Sequence, residues 1–275
     1  MANKIQFSLE QIENIIYLYT VQNMSIRKIS QQYNIGERPI SRILRENNIE
    51  IRHNEFYRKK YCDERYFDTI DTEDKAYWLG FIYADGCITH CTKTPTLEIK
   101  LAETDKSHLE KFKTSLKSEH HVGTYVSTCG YNVGKTYCSL SITNQHLAEG
   151  LISNGVVYRK THILQFPTID QVPKHLVRHF IRGYFDGDGS VYCCKCDGVG
   201  NISFTGTEHM LNGILNELKS VIPTTTKVYK YKNKDIYDLK IGGSNYFSQC
   251  YEFLYNDATI FLERKKNKFD EILSK

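Results

Sequence analysis

Nine residues that occur twice constrain this chain more than any other feature. Trp78-Leu79-Gly80-Phe81-Ile82-Tyr83-Ala84-Asp85-Gly86 returns as Ile181-Arg182-Gly183-Tyr184-Phe185-Asp186-Gly187-Asp188-Gly189, with the second copy offset by 103 residues. Both read apolar, x, Gly, aromatic, apolar, x, small, Asp, Gly, and each closes a helical stretch. The first helix is expected to begin near Thr72, with Glu73 and Asp74 acidic in its opening turn, and the second at Pro173. Gly80 and Ala84 stand four apart, as do Gly183 and Gly187, so each pair shares one helical face. A face without side chains lets two helix backbones approach closely. The terminal glycines suit left-handed C-terminal caps. Asp85 and Asp188 then arrive together at the negative ends of two helix dipoles. Two carboxylates crowded there require a cation, which points to a divalent-metal site.

These residues resemble the paired signature of the LAGLIDADG homing endonucleases. A helix-packing motif with an incidental aspartate would explain one copy. Two copies, each followed by strand-like sequence, argue against it. Trp78 and Arg182 depart from the family pattern. Arg182 stands where a small or apolar residue is usual, which suggests a helix face reaching solvent or DNA.

At 275 residues the chain can hold two or three compact units. Its 40% apolar and 25% charged content is ordinary for a soluble globular protein, without a run long enough to span a membrane or a secretory pattern at Met-Ala-Asn-Lys. Nine cysteines, an odd number, read as reduced thiols of an intracellular protein in the cytoplasm, nucleoid or an organelle. The net charge of +4 resides in residues 1–60, which hold ten Lys/Arg against six Asp/Glu, while the remainder balances at 26 against 26. That excess points to an anionic partner at the N-terminus.

Ser8-Leu9-Glu10-Gln11 has capping-box spacing, followed by apolar Ile12, Ile15, Ile16 and Tyr19. Ser25 caps a second helix, Asn34 to Glu37 makes a turn, and a third helix from about Arg38 to Asn48 buries Ile40, Ile43 and Leu44. It presents Arg38, Ser41, Arg42 and Arg45 outward. The spacing resembles a helix-turn-helix whose third helix enters a major groove. A three-helix bundle used for protein contact is the alternative. Residues 53–71 read as a linker, with Arg58-Lys59-Lys60 either lying along DNA or simply solvated.

The period changes after each signature. Strands are expected at 87–91, 96–102, 122–128 and 136–142, with helices at about 105–116 and 144–153. The second half repeats this with strands at 190–194, 200–205, 225–232 and 235–242 and helices at about 208–221, 244–255 and 259–273. The fold class is therefore α+β: two αββαββα halves, 72–168 and 169–275, related by a pseudo-twofold axis behind an all-α domain at 1–52.

The resemblance implies a site-specific endonuclease that makes a double-strand break in DNA at a long recognition site and leaves short 3′ overhangs. By resemblance Asp85 and Asp188 bind Mg²⁺ or Mn²⁺, with the backbone carbonyls of Ala84 and Gly187 as further ligands. Mg²⁺ keeps several waters and completes its shell with substrate phosphate, which suits so few protein ligands. Asp186 reads as structural, because its counterpart is Tyr83. The family also places a basic residue after the last helix of each half. Lys160 lies 75 residues after Asp85 and Lys265 lies 77 after Asp188, with Arg264 and Lys266 as substitutes for the latter. Recognition would come from two β-ribbons. In the second, Lys230, Lys232 and Lys234 share one parity and Tyr229 and Tyr231 the other, and Lys240 continues the basic character. Thr124, Ser139 and Ser141 give the first ribbon a more neutral face. Alternating lysines also serve edge strands as protection against aggregation.

A zinc site could be imagined from Cys87, His90 and Cys91, or from Cys193, Cys194 and Cys196. The spacing lacks paired knuckles, so buried thiols in strands are the better reading. The chain is expected to act as a monomer, away from membranes. Two other functions fit the same scaffold: an RNA maturase that assists intron folding, with RNA as partner, and a DNA-binding regulator without cleavage. Retention of both acids favours the nuclease.

Overall fold

The computed structural model describes residues 7–22, 24–52, 60–89, 94–128, 133–158, 160–194, 198–232 and 234–274. The chain divides into two compact units, Met1–Lys60 and Tyr61–Lys275.

The first unit holds α1 (Leu9–Thr20), α2 (Ile26–Gln32) and α3 (Glu37–Glu46). Ser8 and Gln11 complete the capping box, and Ser25 accepts from the Lys28 amide. Asn34 takes φ +51° in the turn before α3. Ile15, Leu18, Tyr19, Ile29, Ile40, Ile43 and Leu44 form the unit's own core. The Arg52 guanidinium lies 3.9 Å over the Tyr19 ring.

The second unit is built on α4 (Glu73–Asp85) and α7 (Val177–Asp188). Around α4 stand β1 (Gly86–Thr89), β2 (Thr96–Ala102), α5 (Lys106–Ser115), β3 (Gly123–Val126), β4 (Thr136–Thr143) and α6 (Gln145–Ser153). Around α7 stand β5 (Gly189–Cys193), β6 (Gly200–Gly206), α8 (Glu208–Lys219), β7 (Val228–Lys230), β8 (Tyr237–Gly242), α9 (Ser244–Tyr255) and α10 (Glu263–Leu273). Each half carries a four-stranded antiparallel sheet, ordered β1-β2-β4-β3 and β5-β6-β8-β7. One continuous apolar core fills both halves.

The seam between α4 and α7 is backbone on backbone. A Cβ on Gly80 would run into the Phe180 carbonyl, and one on Gly183 into the Tyr77 carbonyl. Gly187 faces the Ala84 methyl in the same way. Residues Ala76 to Ala84 of α4 are all buried. Polar groups cross the same seam. The Tyr77 hydroxyl donates to Asp186 at 2.7 Å and stands 2.9 Å from His108 Nε2. Asp186 also accepts from the Tyr255 hydroxyl and the Leu262 amide, each at 2.7 Å.

Several expectations require correction. Arg182 does not reach solvent: it is 0% exposed, paired with Glu73 at 2.6 Å and donating to the Ile260 and Leu254 carbonyls. Its partners come from distant segments, so the neighbouring sequence carries no sign of them. Gly86 and Gly189 are not left-handed caps. Both are extended, at φ −78° and −86°, and glycine is needed because a Cβ would sit 2.6 Å from Ile82 Cγ2 or 2.5 Å from the Phe185 carbonyl. Residues 61–71 are not a linker, since Cys62, Tyr66, Phe67 and Ile70 enter the main core and the Asp63 amide bonds the Leu116 carbonyl at 2.8 Å. Pro173 precedes a 3-10 turn at Lys174–Leu176, and α7 itself starts at Val177. Helix α10 begins at Glu263 rather than 259, because the Ile260 carbonyl accepts from Arg182 and the amide of extended Leu262 donates to Asp186. The opposite parities of the second ribbon do not separate a wet face from a buried one. Strand β7 ends at Lys230 on the sheet edge, and Tyr229 and Tyr231 are exposed like Lys230 between them.

Gly183→Leu should lower the denaturation midpoint by at least the roughly 1–3 kcal/mol typical of overpacking. Arg182→Leu should cost about 3–5 kcal/mol, because it removes the charge partner of Glu73 and the side-chain donor to two carbonyls. Urea melts of both, against the exposed-site control Lys219→Ala, check this. Wild-type midpoints for both would remove the seam as the organising contact.

Candidate active site

Helices α4 and α7 end on their aspartates, so the seam that aligns Gly80 with Gly183 also brings Asp85 and Asp188 to one end of the pair. An Asp85 carboxylate oxygen comes within 3.2 Å of where a Gly187 Cβ would stand, so glycine there leaves the acids room to approach. Burial, and next the charge of Asp188, push the Asp85 carboxyl up to about 6. Asp188 opens onto solvent, yet desolvation still raises it, opposed by Lys160 and Lys265.

The two lysines occupy matched places. Lys160, in the 3-10 turn Lys160–His162, donates to the carbonyls of Ile82 at 2.8 Å, Tyr83 at 2.6 Å and Ala84. Lys265, in the first turn of α10, donates to those of Phe185 at 2.6 Å and Gly187 at 3.0 Å. Each ammonium therefore satisfies the open carbonyls and negative dipole of one motif helix. Burial lowers both lysines to about 8, against the pull of the nearby carboxylates. The other two basic residues beside Lys265 point elsewhere: Arg264 pairs with Asp105 and Lys266 with Asp270. The Ala84 and Gly187 carbonyls, expected as metal ligands, thus already accept from lysine.

A cavity of about 240 Å³ opens at Asp188, lined by Ala84, Lys160, Tyr184, Thr205 and Thr207. A larger cleft of about 860 Å³, between residues 162–168 and α8, contains none of the four site residues.

Among the described residues no group of three or more His, Cys, Asp or Glu is gathered for a metal. The cysteine reading changes in detail. Cys87 is exposed and Cys193 and Cys194 are partly so, because β1 and β5 are edge strands, Cys87 falls on the open parity of β1, and Cys194 lies just beyond β5. Cys193 donates to the Gly198 carbonyl at 3.0 Å. His90, Cys91 and Cys196 lie outside the described residues.

The outer sheet faces hold acids as well as the lysines read from the sequence. Lys230 pairs with Asp235 at 3.0 Å, Lys240 with Asp238 at 3.0 Å and Lys100 with Glu98 at 2.9 Å. Lys232 and Lys234 are exposed beyond β7, Thr124 and Ser141 are exposed, and Ser139 is partly so. The Glu98–Lys100 pair escaped sequence reasoning, although alternation along β2 places both opposite the buried Leu97, Ile99 and Leu101. On α3, Arg38 and Arg45 are exposed, Ser41 back-bonds to the Glu37 carbonyl at 3.0 Å, and Arg42 approaches Glu46 at 3.7 Å.

The sequence profile of the LAGLIDADG-like domain matches residues 175–253. No curated protein matches the chain in a sequence search. Among solved structures, the homing endonuclease I-WcaI bound to its DNA recognition sequence aligns with TM-score 0.53 at 12% identity, over 72% of this chain and 87% of that one. A lysine-to-alanine mutant of I-SmaMI aligns with TM-score 0.51 at 10% identity, over 72% and 89%. The meganuclease I-SmaMI bound to uncleavable DNA aligns with TM-score 0.50 at 11% identity, over 75% and 89%. With its two duplicated halves behind an all-helical N-terminal segment, the chain has the LAGLIDADG homing-endonuclease fold.

Proposed function

We propose that this chain is a site-specific DNA endonuclease of the homing type, acting as a monomer and making a divalent-metal-dependent double-strand break. The observation that carries the reading is the pair of helix-terminal aspartates, Asp85 and Asp188, each beside a lysine that caps a motif helix. The I-WcaI and I-SmaMI structures named above are of DNA-binding enzymes, which supports the same substrate here.

The donor set fits Mg²⁺ or Mn²⁺. Two carboxylates raised by burial, Asp85 further by the charge of Asp188, gain from a shared cation, and Mg²⁺ takes few protein ligands when phosphate and water complete its shell. Asp85 and Asp188 would hold it. When bound, such an ion activates water and relieves charge on the phosphate. Lys160 and Lys265 hold the helix ends, keep positive charge beside the acids and stabilise the charge that builds on the phosphate. The Ala84 and Gly187 carbonyls join the metal shell only by sharing with those lysines.

Specific binding would rest on the two outer sheet faces, with Lys230, Lys232, Lys234 and Lys240 on one and Thr124, Ser139 and Ser141 on the other. Pairing of Lys230 and Lys240 with aspartates tempers the positive field there and leaves the exposed Asp235 able to accept from a cytosine amino group. The N-terminal unit would add a second contact as a helix-turn-helix through Arg38, Ser41, Arg42 and Arg45 on α3. An RNA maturase or a non-cleaving regulator would have no use for the paired acids.

Asp85→Asn and Asp188→Asn should each retain target binding in gel shifts while losing the double-strand break in Mg²⁺. Full cutting by the double variant would sink the mechanism. A carboxylate must be ionised to hold the cation, so metal affinity should fall as pH drops through about 6, where Asp85 takes up its proton. Calorimetric Mn²⁺ titrations of the full chain at several pH values check this, and a flat profile over that range would exclude Asp85 as the controlling ligand. Deleting residues 1–52 should shorten the protected footprint at one end and reduce the salt dependence of binding, leaving the cut in place. An unchanged footprint and salt slope would assign the N-terminal unit to protein contact.

A further inference from the structure

The last turn of α7 and the first turn of α10 hold each other. Buried Asp186 accepts the Leu262 amide at 2.7 Å. Leu262 is the N-cap residue of α10, and its side chain gives the helix no cap of its own. The Leu262 carbonyl in turn accepts from the Lys265 amide at 3.0 Å and the Lys266 amide at 3.2 Å. Lys265 then reaches back: its ammonium donates to the Phe185 and Gly187 carbonyls, the two that flank Asp186. A carboxylate at the end of α7 thus fixes the start of α10, and an ammonium at that start fixes the end of α7. Each group has the sign that the helix end it meets favours. The first half is built otherwise: Tyr83 stands in the place of Asp186 and donates to the Asn154 carbonyl at 2.7 Å, and Lys160 lies in a 3-10 turn.

The Gly187 carbonyl belongs to the peptide that joins Gly187 to Asp188, so one turn of backbone sets both the Lys265 ammonium and the Asp188 carboxylate. Without the Asp186 bond the start of α10 has no side-chain cap to hold it, and a long lysine there loses its fixed origin. We propose that Asp186 is a positioning residue: acting through Leu262, it holds the first turn of α10 where Lys265 meets the end of α7. The clamp is a property of the fold, and its bearing on catalysis rests on the endonuclease reading.

The test compares the full wild-type chain with Asp186→Ala, Asp186→Asn and Tyr77→Phe. Hydrogen exchange without DNA or metal reads the Lys265 and Lys266 amides against the Ile163 and Leu164 amides, which bond the Lys160 carbonyl. Asp186→Ala should speed exchange at the α10 start by about tenfold or more and leave the Lys160 turn unchanged. On a duplex recovered by selection for wild-type cleavage in Mg²⁺, it should slow single-turnover cutting about 10- to 100-fold at unchanged duplex affinity. Asp186→Asn keeps an acceptor without the charge and should fall between Ala and wild type in both readouts. Tyr77→Phe removes another donor to Asp186 and spares the Leu262 bond, so it should lower the melting temperature with neither effect. Equal speeding of exchange at both turns, wild-type exchange in the Asp186 variants, faster exchange with wild-type cutting, or Tyr77→Phe matching Asp186→Ala would each overturn the proposal. Where Asp186→Ala does not fold, Asp186→Asn decides by the same criteria. A wild-type chain that cuts no duplex would reject the endonuclease reading instead and leave the exchange comparison to judge the clamp.

Discussion

Everything in the larger unit depends on two helices whose backbones touch. Gly80 against the Phe180 carbonyl and Gly183 against the Tyr77 carbonyl leave no space for a side chain. Dispersion contacts weaken steeply with separation, so a seam of this kind has one register and tolerates little else. Sliding by one residue would drive Cβ atoms into carbonyls and part the aspartates at its end. The two sheets hang from that seam, since β1 and β5 leave the helices directly at Gly86 and Gly189.

Bringing two helix C-termini and two carboxylates together concentrates negative charge. Lys160 and Lys265 answer the first part of that problem by donating to the last carbonyls of α4 and α7. They do not pair directly with the acids, which leaves the carboxylates available to a cation. One pair of lysines therefore has two duties, holding the helix ends and supplying positive charge where a phosphate would arrive. Their lowered pKa values reflect burial that the surrounding carboxylates only partly offset.

What could be read from the sequence was the local and the repeated. The small residues four apart and the capping box at Ser8 state a geometry within about a turn of chain, and the near-equal offsets of Lys160 and Lys265 repeat from one half to the other. Arg182 was misread because its partner Glu73 lies 109 positions away, and an arginine in an apolar helix gives no hint of such a partner. Asp105 and Arg264 were equally invisible as a pair, 159 positions apart. Gly86 and Gly189 were recognised as necessary for the wrong reason: the constraint is the side chain one turn earlier, not a left-handed backbone. Choosing Lys265 over its neighbours required knowing that α10 begins at Glu263, which rests on the Leu262 amide reaching buried Asp186.

The polar groups that cross the seam also decide which halves are able to meet. Tyr77 and Arg182 find Asp186 and Glu73 only because the two halves differ at these positions. By the 103-residue offset, two copies of the second half would set Arg182 against Leu176 and Asp186 against Phe180. Arg182 would then be buried without its carboxylate and Asp186 without the Tyr77 hydroxyl, at a cost that a close-packed seam does not recover. The duplication has thus become irreversible in physical terms. Each half has traded self-recognition for a mate, and the covalent connection now joins surfaces that would choose each other without it.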